Sequence, residues 1–83
     1  MYNELLIGKE IKVLSALDKS LISKSGLVVN ETKNMLIVQS LNGNLIRLPK
    51  SVVTLDIYSA IDKKSLMIKG SKLIGTPNDR IKG

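Results

Sequence analysis

The 83-residue sequence predicts an all-β fold, a small antiparallel barrel of six short strands, and three observations lead there. Its apolar residues are mostly Leu, Ile and Val, with Tyr2 and Tyr58 the only aromatics, and branched aliphatic side chains favour pleated sheet. Turn signals recur at short intervals, which leaves no room for crossover helices. Asn42-Gly43 sits between two apolar runs and is the strongest local signal, because a two-residue type I′ hairpin needs positive φ at both central residues.

The elements follow in chain order. Residues 3–7 carry the apolar cluster Leu5-Leu6-Ile7 before Gly8 and read as one helical turn or an extended arm. Residues 10–14 alternate polar and apolar, so Ile11 and Val13 face a core. Residues 15–25 read as a turn leading into a second, irregular strand, and 26–29 follows as a clear strand. A turn cluster at 30–34 precedes the almost wholly apolar run 35–40, as expected of a central strand covered on both faces. The Asn42-Gly43 hairpin leads to a strand that Pro49 closes, since proline has no N–H for a ladder. Pro49-Lys50-Ser51 is a tight connector to a strand at 52–58. Asp62-Lys63-Lys64 turns the chain into a last strand at 65–69, ended by Gly70, and the remainder reads as a tail with a helical turn after Pro77. A barrel would remove the edges that an open sheet exposes. SH3-like, Sm-like and OB-type barrels all satisfy this pattern.

Composition excludes much chemistry. There is no cysteine and no histidine, which removes disulfides, thiolate nucleophiles, thiolate and imidazole metal ligands and the usual neutral-pH proton shuttle. The carboxylates stand singly beside polar residues, as solvated surface acids do, and the glycines are too scattered for a phosphate-cradling loop. No catalytic residue and no protein-bound cofactor is expected. No apolar run is long enough to span a bilayer and residues 1–4 do not resemble a signal peptide, so a cytoplasmic protein without membrane association is expected. A single domain of this length buries only about 60% of the surface its unfolded chain exposes.

Charge points to a polyanion. Through Asn42 there are five basic and four acidic residues, and from Gly43 onward eight basic and three acidic, so the positive field belongs to the C-terminal half. Lys63, Lys64, Lys69, Lys72, Arg80 and Lys82 are opposed only by Asp79 over the last stretch. Arg47 and Lys50 flank Pro49 and add to the candidate surface. Such residues contact phosphate and sugar and give affinity with little sequence readout. Two tyrosines cannot line a base-stacking platform, so recognition of folded RNA through backbone and shape is favoured over stacking of single strands.

Specific residues go further. The runs Leu6-Ile7-Gly8-Lys9-Glu10-Ile11-Lys12-Val13, Gly26-Leu27-Val28-Val29-Asn30-Glu31-Thr32-Lys33-Asn34, Leu48-Pro49-Lys50 and Gly75-Thr76-Pro77-Asn78-Asp79-Arg80 together resemble archaeal ribonuclease P protein component 1. The resemblance covers nearly the whole chain, in order. It implies a strongly bent, six-stranded Sm-like barrel over residues 1–83, with a partner-binding segment at 1–8 and a basic tail at 70–83. It also implies a non-catalytic subunit of ribonuclease P, in which RNA removes the 5′ leader of precursor tRNA and uses the Mg²⁺ of the assembly. The implied partners are ribonuclease P RNA, precursor tRNA and a zinc-ribbon protein subunit, and the free chain would be a monomer. Carried onto this sequence, RNA contact falls on Lys50, Lys69, Lys72, Arg80 and Lys82, and Arg47 joins the candidate set from its charge alone. Partner contact falls on Leu5, Leu6, Ile7, Leu27, Val28 and Val29. Family members often carry a longer N-terminal helical extension than the seven residues before Gly8, and a C-terminal helix would be short here. An Sm-like or ribosomal RNA-binding barrel of another ribonucleoprotein is the alternative. An SH3-like interaction module would need an aromatic groove that the sequence lacks.

Overall fold

The computed structural model describes residues 6–60 and 63–75. Six antiparallel strands, β1 (Glu10–Ala16), β2 (Ser25–Glu31), β3 (Met35–Gln39), β4 (Leu45–Pro49), β5 (Val53–Ser59) and β6 (Lys64–Lys69), form one sheet in the order β4-β3-β2-β1-β5-β6. Short 3-10 turns at Lys19–Leu21, Lys50–Val52 and Gly70–Leu73 are the only helical elements among the described residues, and none is long and apolar enough to cross a membrane. The all-β, six-stranded expectation is met.

Two bulges bend this sheet and decide which side chains enter it. In β1, Ile11 and Val13 point inward as their alternation requires, and a register shift between Val13 and Ser15 leaves Leu14 unpaired against β5. A second shift between Val28 and Asn30 makes Val29 the extra residue of β2. The alternation that turns Gly26 and Val28 inward therefore slips by one, and Glu31, not Asn30, is buried. Gly26 faces Ile11 across the β1–β2 ladder, and a Cβ there would lie 2.3 Å from the Gln39 carbonyl oxygen. Only glycine permits that approach of β2 to β3.

The core is aliphatic throughout, with Val13, Val28, Leu36, Val38, Leu48 and Leu55 at its centre. Leu6 before β1 and Leu73 after β6 are also wholly buried in it. Among the described residues the ladders run in one series from β4 to β6 with no β4–β6 pairing, so the two ends of the sheet meet through turns instead. The Lys50–Val52 and Gly70–Leu73 turns pack together so tightly that a Cβ on Gly70 would lie 2.0 Å from the Lys50 carbonyl oxygen.

Three local expectations are corrected. The run 35–40 is not the central strand: β1 and β2 take the middle, and β3 lies beside the edge with Met35 and Ile37 half-buried. The Asn42-Gly43 hairpin forms in the expected place but not as type I′, because only Gly43 has positive φ, at 88°. The Gly43 N–H donates to the Ser40 carbonyl at 2.9 Å and the Ser40 N–H to the Asn44 carbonyl at 2.9 Å. That is a three-residue loop, a type I turn followed by a left-handed glycine. The segment before β2 carries a capped 3-10 turn, with the Asp18 carboxylate accepting from the Ser20 amide at 3.0 Å.

Candidate nucleic-acid interface

The sheet divides the basic residues predicted to meet RNA into three groups. Lys69 ends β6 on the outer face, directly opposite Thr54 of β5, and is exposed. Lys72 follows in the 3-10 turn, where burial of its neighbour Leu73 holds the backbone down and leaves the lysine outside. These two therefore come together, around a depression of about 310 Å³ that Thr54, Met67 and Ile68 also line. Arg47 is exposed on β4, opposite Ile37 of β3, at the other end of the strand order. Arg80 and Lys82 lie outside the described residues.

Lys50 is a correction. Its side chain is fully buried and its ammonium donates to Glu31 Oε2 at 2.7 Å, to the carbonyls of Thr32 at 2.6 Å and Gly75 at 2.9 Å, and to that of Lys33 at 3.3 Å. A cation so enclosed and so fully engaged cannot reach a phosphate. The Lys50 amide donates to the Asn34 carbonyl at 2.8 Å, and the Gly75 amide to the Lys33 carbonyl at 2.8 Å. Lys50 thus holds together the turn between β2 and β3 and the chain that leaves the last 3-10 turn. Its sequence position, just after the proline that ends an edge strand, carries no sign of this. A lysine is almost never buried unless paired, and its counter-ion Glu31 is inward only because of the Val29 bulge.

The residues assigned to a protein partner also separate. Leu6 and Val28 belong to the core, and they present nothing to a partner. Ile7, Leu27 and Val29 remain outside, at 50%, 43% and 38% exposure. They sit close along the chain fold, since the Gly8 amide donates to the Val28 carbonyl at 2.8 Å. Leu27 continues across the outer face through Gln39 to the exposed Leu45. A depression of about 540 Å³ opens beside Leu27, lined also by Glu10, Ile11, Gly26 and Leu41. Leu5 lies outside the described residues. Among those described, no three His, Cys, Asp or Glu side chains come together as metal ligands.

The whole chain, residues 1–83, matches the model of the family described as ribonuclease P/MRP, subunit p29. The chain belongs to that family. It is 40% identical over 79 residues to ribonuclease P protein component 1 of Methanococcus vannielii, spanning 93% of this chain and 80% of that protein. The counterpart in Staphylothermus marinus is 35% identical over 81 residues, spanning 98% and 86%. The fold is similar to the solved structure of Mth11, a homologue of the human RNase P protein Rpp29, with a TM-score of 0.67 and 27% identity over 94% of this chain and 99% of that one. The p29 family places the chain among the protein subunits of ribonuclease P.

Proposed function

We propose that this p29 family member is a non-catalytic subunit of ribonuclease P that binds the catalytic RNA and supports its removal of 5′ leaders from precursor tRNA in the cytoplasm. The observation that carries the reading is the family match over the whole chain. The exposed pair Lys69 and Lys72 supports it with a positive surface suited to RNA backbone, and Arg80 and Lys82 would extend that surface in sequence. Arg47 would make a separate contact. Mg²⁺ would belong to the RNA, since the chain brings carboxylates only singly. Ile7, Leu27 and Val29 would meet the zinc-ribbon subunit through the exposed apolar surface of β2 and the segment before β1, with the free chain a monomer.

Reconstitution tests this. Ribonuclease P RNA and the other protein subunits are combined with and without the chain, and precursor-tRNA cleavage is followed as Mg²⁺ is lowered. Cleavage at low Mg²⁺ should require the chain. Equal rates with and without it would reject the assignment.

A further inference from the structure

We propose that the outward depression between β5, β6 and the turn after β6 is a site for one sugar–phosphate unit of an RNA strand. Lys69 and Lys72 would hold the phosphate, the Thr54 hydroxyl would bond a phosphate or ribose oxygen, and Met67 would form the apolar surface under the sugar or base. The inference rests on the RNA-binding reading and adds to it a defined site, with two uncharged residues that a search for basic side chains passes over.

The register builds this arrangement. Thr54 pairs with Lys69 and Asp56 with Met67, so all four share the outer face of the β5–β6 ladder. The 3-10 turn at Gly70–Leu73 then brings Lys72 to the same hollow. Its volume, about 310 Å³, lies at the small end of ligand clefts. Met67 stands 69% exposed, next to Lys69 along the same face of β6, a large apolar side chain kept in water. Cations beside an apolar surface match a nucleotide, whose phosphate and ribose present an anion and a carbon face side by side.

Asp56 decides between RNA and an acidic protein segment. It lies across from Met67, with Lys12 of β1 on its other side. Charge therefore alternates along the outer face, from the two lysines at one end to the Asp56 carboxylate beside Met67 and on to Lys12 of β1. An acidic peptide would place carboxylates along that whole line and be repelled at Asp56. A nucleotide places its anion at one end and its hydroxyl and amino donors at the other, where the carboxylate accepts them.

The test uses the full chain with ¹³C-methyl-labelled methionine, titrated with ribonuclease P RNA and, separately, with an acidic peptide. The Met67 signal is identified by its loss in Met67→Ser. It should shift and saturate with RNA, and move much less with the peptide. Binding of ribonuclease P RNA should weaken roughly three- to tenfold in Thr54→Val and in Met67→Ser, with an unchanged salt slope because neither residue is charged. Lys69→Gln should lower the slope by about one. If RNA binds while the Met67 signal stays still and both uncharged variants bind like the parent, the site is overturned and the RNA-binding reading survives. If the parent chain does not bind ribonuclease P RNA, that reading fails and the site with it. A peptide that moves Met67 as far as RNA does would overturn the nucleotide in favour of a protein ligand.

Discussion

The ammonium of Lys50 lies 2.7 Å from the carboxylate of Glu31, with both side chains withdrawn from water. Two charges taken out of water cost several kcal/mol each before their attraction is counted, and the arrangement is tolerable because backbone carbonyls at Thr32, Lys33 and Gly75 share the ammonium. The pair joins β2 to the chain entering and leaving the two packed 3-10 turns. It acts where the sheet, among the described residues, has no β4–β6 ladder to close it.

Breaking that pair from one side should be severe. Lys50→Met leaves the Glu31 carboxylate buried without its ammonium, and a loss of about 3–5 kcal/mol is expected in urea unfolding at neutral pH. The double variant Lys50→Met with Glu31→Leu should recover part of the loss, since exchanging a buried ion pair for apolar side chains is often near neutral. A double variant as unstable as the single would show that the three carbonyls, not the carboxylate, dominate the cost.

The core strands are legible in the sequence because alternation survives wherever the ladder is regular. Ile11 and Val13 enter the core as read, and the hairpin falls where Asn42-Gly43 places it. What escapes is phase. A bulge costs one residue and has no composition of its own, so the inward turn of Glu31 is invisible, and with it the reason for Lys50 to be inside. Surface lysines and this one look alike in sequence, so composition and spacing place Lys50 with Lys69 and Lys72. Leu6 and Val28 are as apolar as Ile7 and Leu27, and only the fold separates core from exposed surface.

Glycine positions should separate by mechanism. At Gly70 an added methyl meets the Lys50 carbonyl oxygen at 2.0 Å and the Val53 carbonyl oxygen at 2.9 Å, backbone atoms that cannot swing aside. Gly70→Ala should lose about 1–3 kcal/mol or more through overpacking. Gly43 has open space around it and φ of +88°, so Gly43→Ala should cost about 1 kcal/mol through conformation alone. Thermal unfolding of the two variants side by side checks the order. Equal losses would mean that the turns around Gly70 yield more easily than their packing suggests.

Asp18 supplies a pH prediction. The Ser20 hydroxyl donates to its carboxylate at 2.7 Å and the Ser20 amide at 3.0 Å, and these bonds hold its pKa below the ordinary 3.8. A carboxylate with a depressed folded-state pKa contributes stability that is complete above the ordinary value and is lost as pH falls through the folded-state value. The stability gap between the parent and Asp18→Ala should therefore be constant from neutral pH down to about 4 and should narrow below it. Urea unfolding at several pH values measures the gap. A gap that widens on acidification would contradict the bonding to Ser20.

Lys50 and the outer lysines should answer to different measurements. If RNA is held through phosphates, each lost contact removes about 0.7 to 0.9 from the slope of log affinity against log salt. Replacing Lys69, Lys72, Arg80 and Lys82 together by Gln should then flatten the slope by roughly three while unfolding stays close to the parent, because the described lysines of this set are exposed. Lys50→Arg keeps the charge but puts a planar guanidinium where one point charge meets a carboxylate and three carbonyls, so it should reduce stability and leave the slope of the folded fraction untouched. A fourfold Gln variant with the parental slope would remove the strip from the RNA surface, and attention would shift to Arg47, the remaining exposed candidate at the opposite end of the strand order.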